Sequence, residues 1–418
     1  MKDAIQSIES VPEMTDRLQQ LRYATQATEV VPQAVLEIYD RWAEALDDRE
    51  LHNVPGVTFL RLWLRRSNLE PIVCRELGPG WLNGGWWKDG RARLRAFPVG
   101  VVGHWPAANI EIQPVLSLSC GLLGGNGCVV RVPNGLIPIT RLLMQKLQEI
   151  DHDGLLTKRI LMASFDHSRL DVHEAMAGAV DGAMIWGGAE AVSQVRALPF
   201  PHWARIAVFG PRISAAVMDA ETWGNRSERT EWCRRIARDV WQFDQQACSS
   251  PQALFLERSE EHDAREFAED LKRAFQEENA AHPRREIEPG LTSSICGVRA
   301  SWLLGDLSHQ AFFPASPDWT ILLGTGTEMP MPTQGRTLSV LLVDDLSEVI
   351  SKFDGTVQTL GLGVGNARKE EMLAHAAGRH GVDRVVKLGR MHVFSSPWDG
   401  IELVRSMVRV VRHVPTAD

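Results

Sequence analysis

No two cysteines of this 418-residue chain form a C-x-x-C pair; the six, at 74, 120, 128, 233, 248 and 296, lie far apart. That absence excludes a disulfide framework and a cysteine zinc site, and it points to reduced intracellular thiols. Positive charge is also short. With 45 Lys and Arg against 53 Asp and Glu the net charge is −8, which argues against nucleic acid as the main partner. The N-terminus, Met-Lys-Asp-Ala-Ile-Gln-Ser-Ile-Glu, has no apolar signal core. Residues Ile112 to Val130 carry no charge, yet Pro114, several glycines and Asn126 interrupt them. They predict a buried helix followed by a strand, with no membrane insertion. There is no G-x-S-x-G for a serine hydrolase, no internal repeat, no low-complexity tract and no long linker. A soluble, cytoplasmic protein of two or three domains is the expectation.

The patterning supplies the rest. Residues 1 to about 75 read as amphipathic helices, including Met14 to Thr28 and Val35 to Leu46. A Trp/Gly-rich stretch, 78–90, predicts a turn-rich hairpin feeding a strand at Arg91 to Phe97. Fourteen tryptophans are scattered along the chain, which reads as core or interface packing rather than an aromatic substrate box. Strands are expected at 98–103, 127–132, 158–163, 181–186 and 203–208, with helical patterns between them. Such alternation implies a parallel sheet covered on both faces. A second α/β block begins near a helix over Ser227 to Phe243. It continues through a charged helix at Glu260 to Ala281, strands at Gln252 to Glu257, Thr320 to Leu323 and Thr337 to Val343, and a helix at Asn366 to His380.

Two places carry chemistry. The segment Pro98-Val-Gly-Val-Val-Gly-His-Trp-Pro-Ala-Ala-Asn109 is a buried strand ending in a short loop, which brings an amide, Asn109, to a sheet edge. Such an amide can donate to a carbonyl oxygen as it becomes an oxyanion. Cys248 sits in a polar Gln-Gln-Ala-Cys-Ser-Ser-Pro loop between elements, where a buried structural cysteine is not the usual tenant. Two other segments read as structural. Gly361-Leu-Gly-Val-Gly365-Asn lacks G-x-G-x-x-G spacing and is expected to be a turn. The His167 and His173 spacing does not put both rings on one helical face, so no metal site is expected and a solvated helix start is.

The same segments resemble the aldehyde dehydrogenase superfamily. Pro98 to Asn109 is similar to P-V-G-V-V-G-x-x-x-P-W-N, and Gly125 to Asn134 to G-N-T-V-V-L-K-P-S-E. Ile185-Trp-Gly187-Gly188-Ala189-Glu190 resembles F-T-G-S-T-E, and Phe209-Gly-Pro-Arg212 resembles L-G-G-K. A narrower resemblance, over roughly 95–415, is to the acyl-CoA reductase family, whose best-known members supply fatty aldehyde in bacterial bioluminescence. It rests on Asp181 to Val192, Phe209 to Ser214, Gln246 to Gln252 and Gly381-Val-Asp-Arg-Val-Val-Lys-Leu-Gly-Arg-Met391. The ending Ser396-Pro-Trp-Asp-Gly400, followed by an expected Leu/Val/Arg helix, is similar as well.

The resemblance implies an α/β, aldehyde dehydrogenase-like fold of two interleaved domains, one with a Rossmann-like cofactor-binding sheet and one bearing the cysteine. The boundaries expected are an N-terminal helical region at 1–90, a cofactor domain at 91–225, a catalytic domain at 226–395 and a segment at 396–418 packing back on the core. Cys248 is the implied nucleophile and Asn109 the oxyanion donor. Trp105, Arg131, Asn134, Gly187, Gly188 and Ala189 are implied cofactor contacts. Val208 stands where hydrolysing relatives carry the glutamate that activates water, and a valine cannot act as a base. The implied activity is NADPH-dependent reduction of an acyl thioester, on coenzyme A or a carrier protein, to an aldehyde; a homodimer is compatible with the superfamily. The alternatives are an oxidative aldehyde dehydrogenase and a non-catalytic member kept for binding or assembly.

Overall fold

The computed structural model describes residues 4–284 and 287–415. The outer residues of the expected N-terminal region and C-terminal segment, 1–3 and 416–418, lie outside it. The chain divides into two compact units, Met1–Gly210 with Phe394–Asp418, and Pro211–Val393. The expected boundaries at 90 and 225 subdivide the chain more finely than these two units. The N-terminal helices share a unit with the sheet that follows, and the two units part after Gly210.

In the first unit, helix α1 (Val11–Ala27) is capped by Ser10, whose hydroxyl accepts from the Glu13 N–H. Its Met14, Leu18 and Leu21, spaced for one helical face, share a core cluster with Val101, Val129 and Leu161. Strand β1 (Gln6–Ser7) and β2 (Trp87–Asp89) precede β3 (Ala92–Pro98) and β4 (Val101–Trp105). Between β3 and β4, Gly100 has φ +138, and a Cβ there would lie 2.2 Å from Asp181 Oδ2. Only glycine permits that approach. The uncharged run becomes helix α2 (Gln113–Leu123), every residue of it buried, followed by β5 (Gly127–Arg131). After β6 (Ile160–Ser164) come β7 (Gly182–Trp186), helix α3 (Ala189–Arg196) and β8 (Arg205–Phe209). The order β1-β6-β5-β4-β7-β8 is parallel throughout. Connections run one way from β4 through β5 to β6 and the other way from β7 to β8. The topological switch point therefore falls between β4 and β7, whose carboxyl ends form the usual ligand crevice.

The second unit opens with β9 (Ile213–Met218) and helix α4 (Arg226–Trp241), then β10 (Pro251–Glu257) and helix α5 (Ala264–Ala281). Its sheet is completed by β11 (Gln310–Phe312), β12 (Thr320–Thr325), β13 (Thr337–Val343), β14 (Val357–Gly363) and β15 (Arg384–Lys387). The order is β11-β12-β13-β10-β9-β14-β15, with β11 alone antiparallel. Alternate residues of β10 serve two cores: Leu254 and Leu256 meet Phe267 and Phe275, while Ala253 and Phe255 meet Val349 and Phe353. Gly361 and Gly363 lie inside β14 and not in a turn. A Cβ on them would come 2.8 Å from Met391 Sδ and 2.9 Å from Met218 Cε, so glycine is there for packing.

The chain then returns to the first unit as β16 (Val408–His413), antiparallel to β3, in a three-stranded sheet β16-β3-β2. The helix expected here is a strand. Val408, Val410 and Val411 are β-branched, and β3 offers a ladder to which an isolated short helix has no equivalent. Among the described residues, no helix is long and apolar enough to cross a membrane, and no cluster of side chains could hold a metal ion.

Candidate active site

The segments singled out in the first unit all leave the carboxyl edge of its sheet. Trp105 closes β4, beside Ile185 of β7. Its indole is core, 4% exposed, donating from Nε1 to His173 Nδ1 at 3.2 Å and meeting Phe200 edge-on. A cofactor could use only the main chain at that position. His173 is thus buried rather than solvated, and burial lowers its pKa to about 4. Asn109 is exposed on the bend between β4 and α2. Arg131 ends β5, half-buried, with its guanidinium 6.0 Å from the Phe165 ring centroid. Its Nε is buried with no acceptor among the described residues, and burial holds its pKa below the ordinary arginine value. Asn134, exposed, opens a short turn after β5.

Gly187 donates its N–H to Phe209 O, and Gly188 is the N-cap of α3 without a side-chain cap. A Cβ on Gly188 would meet nothing within 4 Å. The first N–H groups of α3, from Ala189 on, are therefore open to an anion. A hollow of about 400 Å³ runs along Ala189, Val192, Ser193 and Arg196. A half-buried guanidinium with an unsatisfied Nε at one strand end and an uncapped helix start at another fit a phosphate-bearing dinucleotide. Val208, on β8, packs against the first unit's core and carries no proton acceptor.

Sequence reasoning missed a buried polar knot on the other face of β4. Trp186 Nε1 donates to Ser117 Oγ at 2.8 Å, and the same hydroxyl shares a hydrogen bond with His104 Nδ1, also at 2.8 Å. Burial pushes the His104 pKa to about 3, leaving it neutral. Trp186 then stacks flat on Phe209, centroids 3.7 Å apart and planes 11° apart. A serine in an apolar helix gives no sequence signal of this kind.

In the second unit, Cys248 lies half-buried on the loop between α4 and β10. The helix stops at Trp241 because Phe243, Asp244 and Gln245 are all left-handed, with φ 54, 50 and 63. Three successive non-glycine residues there cost about 1–3 kcal/mol each and persist only where neighbours over-determine them. Here they do. Gln245 is buried and donates from Nε2 to the carbonyls of Pro251 and Thr337, each at 2.7 Å, while its Oε1 accepts from the Thr337 N–H. Arg336 holds Asp244 at 2.7 Å. The Cys248 carbonyl accepts from Ser214 Oγ at 2.6 Å. The next side chain, Ser249, is buried with Oγ 3.0 Å from His392 Nδ1. The sequence shows no histidine near Cys248; one arrives 143 residues later, on Ser249.

Comparison with known proteins agrees with this architecture. A family model for acyl-CoA reductase (LuxC) matches residues 24–410. Long-chain acyl-protein thioester reductase of Vibrio harveyi is 24% identical over 363 residues, 83% of this chain and 71% of the relative. An aldehyde dehydrogenase of Brucella melitensis biovar abortus superposes with TM-score 0.73 at 13% identity, covering 98% of this chain and 90% of that one. The NADP-dependent glyceraldehyde-3-phosphate dehydrogenase of Bacillus halodurans, solved with NADP, gives 0.69 at 14% identity, covering 97% and 92%. The fold is that of the aldehyde dehydrogenases.

Proposed function

This chain belongs to the acyl-CoA reductase (LuxC) family, and from that premise we propose that it reduces a long-chain acyl group, delivered as a thioester on a protein or on coenzyme A, to the aldehyde with NADPH. The acyl-protein donor follows the name of the Vibrio harveyi relative. The Cys248 thiolate attacks the thioester carbonyl, and the donor thiol departs with a proton. The Cys248 N–H and, on the strength of its motif, the Asn109 amide stabilise the oxyanion. Arg131, Asn134 and the backbone of Gly187, Gly188 and Ala189 would hold the dinucleotide, with Trp105 contributing main chain only. When bound, the reduced nicotinamide supplies the hydride that brings the acyl carbon to the aldehyde level. Cys248 retains that carbon through a sulfur bond until collapse of the thiohemiacetal releases aldehyde and thiolate.

The observation that carries this reading is Val208. Its isopropyl group packs against the first unit's core, and by the motif resemblance it stands where hydrolysing relatives carry the water-activating glutamate, so on this reading an acyl group on Cys248 is spared from water. The test is incubation of the protein with a panel of acyl-CoA and acyl-protein thioesters and NADPH, trapping aldehyde and weighing the intact protein. A thioester adduct on wild type, absent from Cys248→Ala with NADPH binding retained, is expected. An adduct that survives in Cys248→Ala removes this cysteine from the mechanism.

A further inference from the structure

The segment Gly381–Met391 marks the family resemblance, yet the chemistry above gives it nothing to do. The structure places its end against the nucleophile loop. His392 Nε2 lies 2.7 Å from the Asp239 carbonyl, near the carboxyl end of α4. A carbonyl only accepts, so Nε2 carries the proton and Nδ1 is left to accept from the Ser249 hydroxyl at 3.0 Å. The same ring packs edge-on against Phe243, 5.7 Å between centroids, so it touches both ends of the loop that carries Cys248.

His392 is itself held from two sides. The Asp239 carboxylate accepts from the Gly389 and Met391 N–H groups. Arg384, on β15, donates to the carbonyls of Met391 at 2.7 Å and Val393 at 2.8 Å. Asp239, Arg384 and His392 are all buried.

We propose that His392 and Ser249 are positioning residues for the nucleophile, with Arg384 and Asp239 fixing His392 so that the Ser249 hydroxyl locks the Cys248–Ser249 turn in its reactive orientation. The proposal rests on the reductase reading, because the orientation matters only if Cys248 takes an acyl group. Attack on a carbonyl demands alignment of sulfur with the oxyanion donors, whereas alkylation by a small soluble reagent does not. The two reactions therefore separate orientation from folding.

The experiment compares wild type, Ser249→Ala, Ser249→Thr and His392→Gln. One readout is single-turnover acylation by a long-chain acyl-CoA, followed by intact mass. The other is iodoacetamide modification of Cys248, mapped by peptide mass and normalised to exposed Cys296. Ser249→Ala keeps the His392–Asp239 bond and should fold. It is expected to acylate roughly tenfold more slowly while alkylation stays within about twofold, the size of effect a lost alignment gives. Ser249→Thr, which keeps the hydroxyl, restores acylation. His392→Gln, which can both donate to Asp239 O and accept from Ser249, falls between them. Wild-type acylation that all three variants match overturns the positioning role and leaves the reductase reading intact. A parallel fall in both reactions in Ser249→Ala marks a structural role and overturns it too. Absence of acylation in wild type, with normal alkylation, overturns the reductase reading and this proposal with it.

Discussion

The proposed reading turns first on one side chain, Val208, which by motif resemblance stands where hydrolysing relatives carry the water-activating glutamate. Val208→Glu is expected to divert the acyl-enzyme to free acid, visible as thioester hydrolysis without NADPH; no rise in hydrolysis in a folded variant removes Val208 from the water-activating position. Asn109→Ala should slow acylation by roughly 10²–10³-fold, the usual loss of one oxyanion donor. A single-turnover rate near wild type would reduce Asn109 to a turn residue. Arg131 has a buried Nε with no acceptor among the described residues, and the uncharged Asn134 opens the turn after it, so a 2′-phosphate would find a cation at 131 and no carboxylate at 134. Asn134→Glu should raise the KM for NADPH with little change for NADH, by an interaction on the order of 1–4 kcal/mol. Equal use of both cofactors by wild type, unaltered in the variant, would defeat the NADPH preference.

Elements show what a sequence can and cannot carry. Apolar runs of strand length announced β5, β7, β10 and β13 to within a residue or two, because sheets buried on both faces need such runs. The loop that holds Cys248 was legible only as polar. Nothing in Phe243-Asp244-Gln245 announces three left-handed residues, since Arg336 and Thr337, far along the chain, are among the partners that stabilise them. Likewise β16 becomes a strand through its partner β3, and Gly361 sits in β14 because Met391 lies over it. The candidate site divides the same way: Cys248 and Asn109 stand out by residue type and motif, His392 and Ser117 only by tertiary contact. Gln245→Ala tests the loop as an element. It strips partners from the Pro251 and Thr337 carbonyls and the Thr337 N–H, each costing about 1–3 kcal/mol if left buried. Denaturant unfolding with an unchanged m-value should show a loss of about 3 kcal/mol or more. A loss below about 1 kcal/mol would mean that the turn holds itself.

Across the whole molecule the two units should respond differently to acid. The first buries neutral His104 and His173, with pKa values near 3 and 4. Unfolded histidine titrates near 6.5, so each takes up a proton on unfolding between those values. Their contribution is full above about pH 6.5 and is lost as pH falls, by about 1.4 kcal/mol per pH unit for each proton. The second unit has His392, lowered to about 4, but also Asp239, raised to about 7 by burial. The protonated Asp239 stabilises the fold at low pH and its contribution is lost as pH rises from its unfolded value towards 7, opposite in sign to His392. Between about pH 6.5 and 4 the two offset each other. Hydrogen exchange read by mass spectrometry should show the first unit losing protection on acidification while the second changes little. Equal loss in both would refute the balance.

The antiparallel pairing of β16 with β3 has a consequence for how the protein is made. All seven strands of the second unit lie between these two partners in the chain. A ribosome therefore finishes the second unit, a continuous stretch with its own cores, before the first can close. Until Val408–His413 emerges, one edge of β3 is an unpaired template. Glu76, which accepts from the N–H groups of Val404 and Arg405, also waits for its partners, as does Asn126, which donates to Met407 O. The nascent chain thus passes through a stage in which the half that carries Cys248 is complete and the half proposed to hold the dinucleotide still lacks a strand.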